Sequence, residues 1–168
     1  MMAQANPKQS LRPYLPADAP LLAEIFRAAV EELTGDDYGP AQQGAWAAYA
    51  ADEAVFAKRL ADQLTLVATL AGSPVGFAAM DDNKTIDMLY VHPAVVGQGI
   101  ASMLCGALEK LAAARGSKRL TVDASDTARG FFEKRGFVAQ QRNTLSYGGE
   151  WLANTTMTKD LTGNRSAP

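Results

Sequence analysis

Between residues 85 and 124, a strand pattern, a glycine turn, a helix pattern and a second strand pattern follow one another, and this order restricts the fold most. The predicted strands are Thr85–Val91, which ends before Pro93, and Leu120–Ala124. The predicted helix runs from about Gln98 to Gly116 and carries its apolar side chains at helical spacing. A strand, a helix and a strand in succession form a parallel, right-handed crossover. The segment therefore predicts an α/β fold.

Similar patterns on either side of the crossover predict the remaining elements. Before the crossover we predict a strand at Gln9–Tyr14 and a helix from an N-cap at Asp18 to Gly35. A second helical stretch, Gln42–Gln63, is broken near Ala50–Asp52. A hairpin follows, formed by Leu64–Leu70 and Val75–Met80. After the crossover we predict a helix that is capped by Ser125 or Asp126 and ends at Gly136. A strand begins at Phe137, and the last strand, Glu150–Lys159, follows a turn at Gly148-Gly149. We expect one domain over residues 1–168, with flexible tails at about 1–8 and 162–168. Its sheet should be mixed, mostly antiparallel, six- or seven-stranded and flanked by helices.

The bulk composition restricts the partners and the compartment. The 168 residues carry a formal net charge of −2 and no basic block, which argues against nucleic acid as the main ligand. The N-terminus has no apolar stretch and the apolar runs are interrupted, so we predict neither a secretion signal nor a membrane span. Cys105 is the lone cysteine, and we predict a cytoplasmic protein without an intramolecular disulfide. No cluster of His, Cys, Asp and Glu has metal-ligand spacing in the sequence.

The loop Gly97-Gln98-Gly99 joins the first strand of the crossover to its helix. Glycines permit a tight turn and the close approach of a ligand, and the first N–H groups of a helix favour an anion. A phosphate cradle and a plain tight turn both fit the loop by itself. A dinucleotide fingerprint needs a third glycine where Ser102 stands, and a P-loop needs a Gly-Lys-Ser/Thr that does not follow.

Two segments, taken together, resemble the GNAT superfamily of N-acetyltransferases. Leu89–Pro93 followed by Val96–Ala101 looks like the acetyl-coenzyme A loop of that family, whose pattern is Arg/Gln-x-x-Gly-x-Gly/Ala. Ala128–Phe137, which reads Ala-Arg-Gly-Phe-Phe-Glu-Lys-Arg-Gly-Phe, resembles a second signature of the family. The resemblance implies a GNAT fold whose central strands splay apart. It also implies transfer of an acetyl group from acetyl-CoA to a primary amine by direct attack.

The resemblance further implies which residues would bind acetyl-CoA. Backbone groups of Leu89 and Val91 would pair with the pantetheine amides, which is recognition by main chain along a strand edge. Ser125 would hydrogen-bond the pantetheine arm or serve only as an N-cap, and Lys134 with Arg135 would meet a phosphate or stay solvated. The implied cofactor-binding residues are Leu89, Tyr90, Val91, Val96, Gly97, Gln98, Gly99, Ile100, Ala101, Ser102, Ser125, Phe131 and Lys134.

Three positions depart from the family pattern. Val96 stands where the family prefers Arg or Gln, so the pyrophosphate would rely on backbone N–H groups and the helix end. Ser125 stands where many members have Asn. Phe132 replaces the tyrosine often proposed as general acid, which leaves that role vacant at its usual place.

Direct attack by an amine requires a base for the amine and a proton donor for the departing thiolate. Asp87, ten positions before the first loop glycine, is the predicted base, with a solvated charge or a partner for Arg or Lys as the alternative. Tyr90 is predicted to donate a proton to the thiolate or to line the acceptor pocket, with simple packing as the alternative. Tyr147 is another candidate acid.

Other reactive and aromatic side chains are assigned mainly structural roles. His92 is the only histidine and lies at a predicted strand end, where a structural role is favoured. Cys105 is expected to be a buried, unreactive thiol. Trp46, Tyr49 and Trp151 would either shape the acceptor pocket or pack in the core.

Three functions follow from these observations. The first is acetyl transfer from acetyl-CoA to a small amine or a peptide amine, without a metal. The second is a CoA-binding module with weak or no catalysis, suggested by Phe132. The third, a toxin that acts on aminoacyl-tRNA, requires a basic face that the acidic overall charge does not favour. Both a monomer and a homodimer are compatible with the sequence.

Overall fold

The computed structural model describes residues 8–162. The predicted tails, at about 1–8 and 162–168, lie outside the described residues except for residues 8 and 162. The described residues form seven strands: β1 (Gln9–Pro13), β2 (Leu64–Leu70), β3 (Ser73–Asp81), β4 (Thr85–Val91), β5 (Arg119–Ser125), β6 (Val138–Tyr147) and β7 (Glu150–Asp160). The α-helices are α1 (Ala19–Leu33), α2 (Pro40–Ala47), α3 (Glu53–Ala61), α4 (Ile100–Ala114) and α5 (Arg129–Lys134). Short 3-10 turns span Pro16–Asp18, Ala48–Ala51 and Pro93–Val95.

All seven strands form one sheet in the order β1-β2-β3-β4-β5-β7-β6. Every neighbouring pair is antiparallel except β4 and β5, which run parallel on either side of the α4 crossover. That parallel pairing is limited to Thr85 with Thr121 and Ile86 with Val122. Beyond Ile86 the two strands separate, which confirms the predicted mixed sheet with splayed central strands.

The sheet buries a hydrophobic core on each face, because side chains alternate between the two faces along a strand. On β3, Ala78 belongs to the core beneath α4 and α5, together with Leu104 and Phe132. Its neighbour Phe77 belongs to the core beneath α1 and α3, together with Phe56. We refer to these as the α4 core and the α1 core.

A bulge interrupts this alternation on β4. Ile86 lies opposite Met80 and Met88 lies opposite Ala79, so Asp87 is an extra residue in the pairing with β3. Beyond the bulge, β4 presents main-chain groups to the gap between β4 and β5. The His92 N–H donates to the Val75 carbonyl at 2.8 Å, so the main-chain groups of residue 92 face β3. Main-chain groups of successive residues point alternately to the two sides of a strand, so those of residues 89 and 91 point away from β3 and into the gap.

The structure refines two predicted helix caps and confirms one predicted break. Asp18 precedes α1 but makes no side-chain cap bond; its carboxylate instead accepts from Arg12 and from the Leu15 N–H. The predicted Ser125 cap is confirmed one turn earlier than expected: its Oγ accepts from the Ala128 N–H and caps the turn that precedes α5, whereas α5 itself begins at Arg129 without a side-chain cap. The break predicted near Ala50–Asp52 is confirmed as the 3-10 turn that separates α2 from α3.

Candidate active site

A cavity of about 380 Å³ opens where β4 and β5 separate. One wall consists of α1, α2 and the turn after α2, and the other consists of the start of α5 and the β6–β7 hairpin. The lining ends at Val91 on β4 and does not include Gly97–Ser102. The residues in it that can take part in chemistry or recognition are Tyr38, Trp46, Tyr49, Arg59, Asp87, Tyr90, Asp123, Ser125 and Tyr147.

The glycine loop leads from the end of β4 to the first turn of α4. Gly97 and Gly99 both have a φ of +83°, in the left-handed region that glycine adopts without strain. Gly99 is the N-cap of α4, so the N–H groups of the following turn point out of the helix end without intrahelical partners. The loop can therefore cradle an anion with backbone donors alone. Val96 is about half exposed, at 49 %.

Gly76 on β3 brings the start of α4 close to the end of β4. A Cβ atom at this position would lie 3.0 Å from the Tyr90 carbonyl oxygen and 3.1 Å from Cγ2 of Ile100. Only glycine allows this approach without displacing a neighbour. The contact sets the glycine loop directly beyond the cleft edge of β4.

The Asp87 carboxylate is held by donors from α3 and the residues after it. Arg59 donates to both oxygens, through Nε to Oδ2 at 2.6 Å and through Nη2 to Oδ1. Gln63 Nε2 donates to Oδ2 at 2.8 Å. The carboxylate raises the pKa of Arg59 through this hydrogen bonding. A carboxylate has about four lone-pair sites, so one site on Oδ1 remains for a further donor.

Tyr90 lies three residues beyond Asp87 on β4 and packs against the α1 core. Its hydroxyl oxygen accepts from Nε1 of Trp46 at 3.3 Å, and its ring packs edge-on against Phe26 at 4.7 Å between centroids. Burial raises the pKa of Tyr90 well above its usual range. Burial also raises the pKa of Tyr147, whose ring lines the same cavity. Both phenols are therefore protonated at neutral pH.

Several predicted residues have contacts that explain them without a ligand. The Nδ1 atom of His92 accepts from the Ala94 N–H at 3.0 Å, and Ser125 Oγ accepts from the Ala128 N–H at 3.1 Å. Cys105 is fully buried, and burial raises its pKa to about 12. Trp151 is 65 % exposed and is absent from the cavity lining, so the alternatives of pocket and core are both wrong for it.

The second predicted signature, on α5, lies partly in the α4 core. Phe132 is buried there and also lines the cavity. Phe131 is half-buried, 5.2 Å from it between ring centroids. Arg135 is committed to an ion pair with Glu109 at 3.1 Å, whereas Lys134 is exposed. Of the two cations considered for a CoA phosphate, the structure leaves Lys134 the more accessible.

Sequence reasoning missed three residues that organise the cavity. Arg59 and Gln63 hold Asp87, and Tyr38 bridges the turn after β5 to β7 through its hydroxyl. None belongs to a local motif, because each partner is 24 or more positions away in the chain. The one available signal was the carboxylate within a strand, which requires a cationic or hydrogen-bonding partner.

Two further findings apply to residues 8–162. The helices in this range are too short or too polar to cross a bilayer. The same residues contain no group of three or more His, Cys, Asp or Glu side chains that could hold a metal ion.

Comparison with known proteins gives a consistent result. A family model described as an acetyltransferase (GNAT) domain matches residues 34–161. The chain is 37 % identical over 147 residues to the uncharacterized N-acetyltransferase YafP of Escherichia coli (strain K12), covering 88 % of this chain and 93 % of that protein.

Solved structures agree in fold. A GCN5-related N-acetyltransferase (aminotransferase, class-II) from Rhodopseudomonas palustris is 61 % identical, with a TM-score of 0.89 over 95 % of this chain and 99 % of that one. The PaiA N-acetyltransferase from Thermoplasma acidophilum, solved with coenzyme A, has a TM-score of 0.76 at 18 % identity, over 91 % and 99 % of the two chains.

Proposed function

The chain belongs to the GNAT family of acetyltransferases, and on that premise we propose that it transfers an acetyl group from acetyl-CoA to the primary amine of a small molecule or peptide. The observation that carries the proposal is the cleft between β4 and β5, whose lining ends at Val91, together with the glycine loop that follows β4 in the chain. We further propose that the catalytic domain spans the whole chain and that the protein works in the cytoplasm. The lone, buried cysteine supports that location.

Acetyl-CoA would lie along the open edge of β4. Main-chain groups of Leu89 and Val91 face the gap and are suited to pair with the amides of pantetheine. The pyrophosphate would bind the N–H groups from Gly97 to Ser102, because no cationic side chain stands at Val96. Ser125 lines the cavity on the β5 side. Phe131 does not line the cavity and would pack on the cofactor outside it, and Lys134 is exposed for a phosphate.

The reaction needs one proton removed from nitrogen and one delivered to sulfur. The amine lone pair attacks the thioester carbonyl carbon, and the tetrahedral intermediate collapses as the C–S bond breaks with its electron pair going to sulfur. Asp87 would accept the nitrogen proton at the open site on Oδ1, directly or through water. Tyr90 would donate its proton to sulfur and recover one from solvent, so the products are an amide and CoA.

The alternative function is a CoA-binding module with little or no catalysis. Phe132 supplies no hydroxyl at the usual place of the acid, and three of about four sites on Asp87 are occupied. Such a module would still bind CoA tightly in the same cleft.

A thiol-release assay with defined amines separates the two functions. We expect acetyl-CoA to release CoA in the presence of at least one of phenethylamine, n-butylamine, spermidine, L-lysine or an N-terminal tripeptide amine, with the acetylated amine identified by mass spectrometry. Calorimetry with CoA provides the binding control. Measurable CoA binding with no acetylated product from any of these amines would favour the binding module.

A further inference from the structure

Three aromatic side chains form a continuous bridge across the gap between β5 and β4. Tyr38 donates its hydroxyl proton to the Ala153 carbonyl at 2.6 Å and accepts from the Asp126 N–H at 2.9 Å. Its ring packs edge-on against Trp46 at 5.4 Å between centroids. Trp46 in turn donates from Nε1 to the Tyr90 hydroxyl at 3.3 Å. The bridge therefore begins at the turn after β5 and ends on β4.

The direction of the last hydrogen bond follows from the chemistry of the two groups. An indole N–H is a donor only, so the Tyr90 oxygen must be the acceptor. The hydroxyl proton of Tyr90 is then left for another partner, and among residues 8–162 no protein group accepts it. Because Tyr90 lines the cavity, that proton is available to a molecule bound there.

We propose that Trp46 is a positioning residue for acetyl transfer, which holds the Tyr90 hydroxyl so that its proton is directed at the departing sulfur of CoA. This inference rests on the proposed function and extends it to a residue on α2. In the step concerned, the C–S electron pair goes to sulfur, the Tyr90 O–H proton follows it to form the thiol, and the resulting phenolate is stabilised by the Trp46 N–H until solvent reprotonates it. The amine proton leaves separately through Asp87 or water.

Tyr38 explains why Trp46 can serve as a fixed support. Tyr38 is 5 % exposed, and its hydroxyl uses both its donor and its acceptor capacity on main-chain groups of different elements. A side chain anchored in this way loses little further entropy when a substrate binds. The Trp46 ring therefore packs on a rigid neighbour, and its N–H keeps one direction.

The chain offers a matched control, since it has only two tryptophans. Trp46→Phe removes the N–H and retains an aromatic ring, whereas Trp151→Phe changes an exposed residue outside the cavity. With the amine of highest turnover in the panel above, we expect Trp46→Phe to lower kcat about 10-fold and Tyr90→Phe about 100-fold. The KM for acetyl-CoA should stay within about twofold in both, and Trp151→Phe should leave both constants unchanged.

A double substitution tests whether Trp46 acts through Tyr90. If it does, Trp46→Phe in the Tyr90→Phe background should cause no further loss of kcat. A multiplied loss in the double variant, or a wild-type kcat in Trp46→Phe, would overturn the proposal. Incorporating benzothienylalanine at position 46 replaces the N–H by sulfur and keeps the ring shape, so a loss equal to that of Trp46→Phe excludes misfolding as the cause.

The outcome is distinguishable from failure of the proposed function. If wild-type protein acetylates none of the amines, the proposed function fails and the positioning role fails with it. If wild-type protein is active and Trp46→Phe is equally active while Tyr90→Phe is impaired, only the positioning role is wrong. Impairment in Tyr147→Phe with full activity in Tyr90→Phe would move the proton donor to Tyr147 and also overturn it.

Discussion

Ile86 and Met88 are two positions apart on β4, yet their side chains are buried on opposite faces of the sheet. Ile86 belongs to the α4 core and Met88 to the α1 core. Residues two apart on a regular strand share a face, so the extra residue at Asp87 causes the reversal.

The same bulge prepares the cleft for a ligand. Asp87 is the inserted residue, and its carboxylate meets Arg59 and lines the cavity. Just beyond it, the main-chain groups of Leu89 and Val91 face the gap. The inserted residue is therefore itself the candidate base, and it adjoins the edge on which we expect pantetheine to bind.

The glycine loop should bind CoA through its backbone. Val96→Ala should leave the Kd for CoA within about twofold, because no side chain at that position is needed. Gly99→Val should weaken CoA binding about 100-fold, the loss expected when one or two hydrogen bonds to a charged group are removed. Isothermal titration calorimetry with CoA measures both, and the opposite ranking would contradict this account of the loop.

Gly116→Val is the matched control for backbone strain. Gly116 has a φ of +90° and follows the C-terminal end of α4, so the whole length of that helix, about 22 Å, separates it from Gly99. A β-branched residue should lower stability at both sites, but only Gly99→Val should reduce CoA affinity. Equal losses of affinity would show that strain, rather than the cradle, is responsible.

Asp87→Asn should lower kcat about 100-fold, the usual contribution of a general base, while the Kd for acetyl-CoA changes by less than about threefold. Steady-state kinetics and calorimetry on one preparation measure the two quantities. Asp82→Asn, in the exposed β3–β4 turn, is the control. Full turnover in Asp87→Asn would leave Asp87 as a structural partner of Arg59 only.

The Arg12–Asp18 pair should make stability depend on pH at the acid end. Hydrogen bonds from the Arg12 guanidinium, with that from the Leu15 N–H, hold the pKa of the buried Asp18 below its ordinary value of 3.8. A lowered folded pKa means that this stabilisation is present above about pH 4 and is lost as the pH falls through the folded pKa. Asp18→Asn should lower the free energy of unfolding by about 2 kcal/mol at pH 7, and by less at pH 3.

Thermal unfolding as a function of pH measures this effect. Asp62→Asn removes a solvent-exposed i,i+4 pair with Lys58 and should cost no more than about 0.5 kcal/mol. A pH-independent loss in Asp18→Asn would mean that packing rather than charge explains it.

Cys105 should resist alkylation in the folded protein. Its thiol is fully buried, and burial raises its pKa to about 12. At pH 8, therefore, only on the order of one Cys105 thiol in ten thousand is ionised. Iodoacetamide at pH 8 should therefore label the protein only after denaturation in urea, as followed by mass spectrometry. Rapid labelling of folded protein would show that the α4 core opens readily.

The glycine loop and the crossover could be predicted from sequence because both depend on neighbours in the chain. Gly97 and Gly99 adopt the positive φ that the motif requires, and α4 follows directly with its apolar stripe. The role of Asp18 could not be predicted, because an acidic residue before a helix is ordinarily a cap. Only the folded chain brings Arg12 within 2.8 Å of its carboxylate.

What the sequence determined by itself is the order of elements, the family and the loop that would hold the CoA phosphates, since local patterns encode each of them. What only the tertiary structure decided is the chemistry of the cavity. Arg59 donates hydrogen bonds to Asp87, which is 28 positions away in the chain, and Trp46 donates one to Tyr90, which is 44 positions away. No local pattern specifies such pairs, because they depend on how α2 and α3 pack over the bulged strand β4.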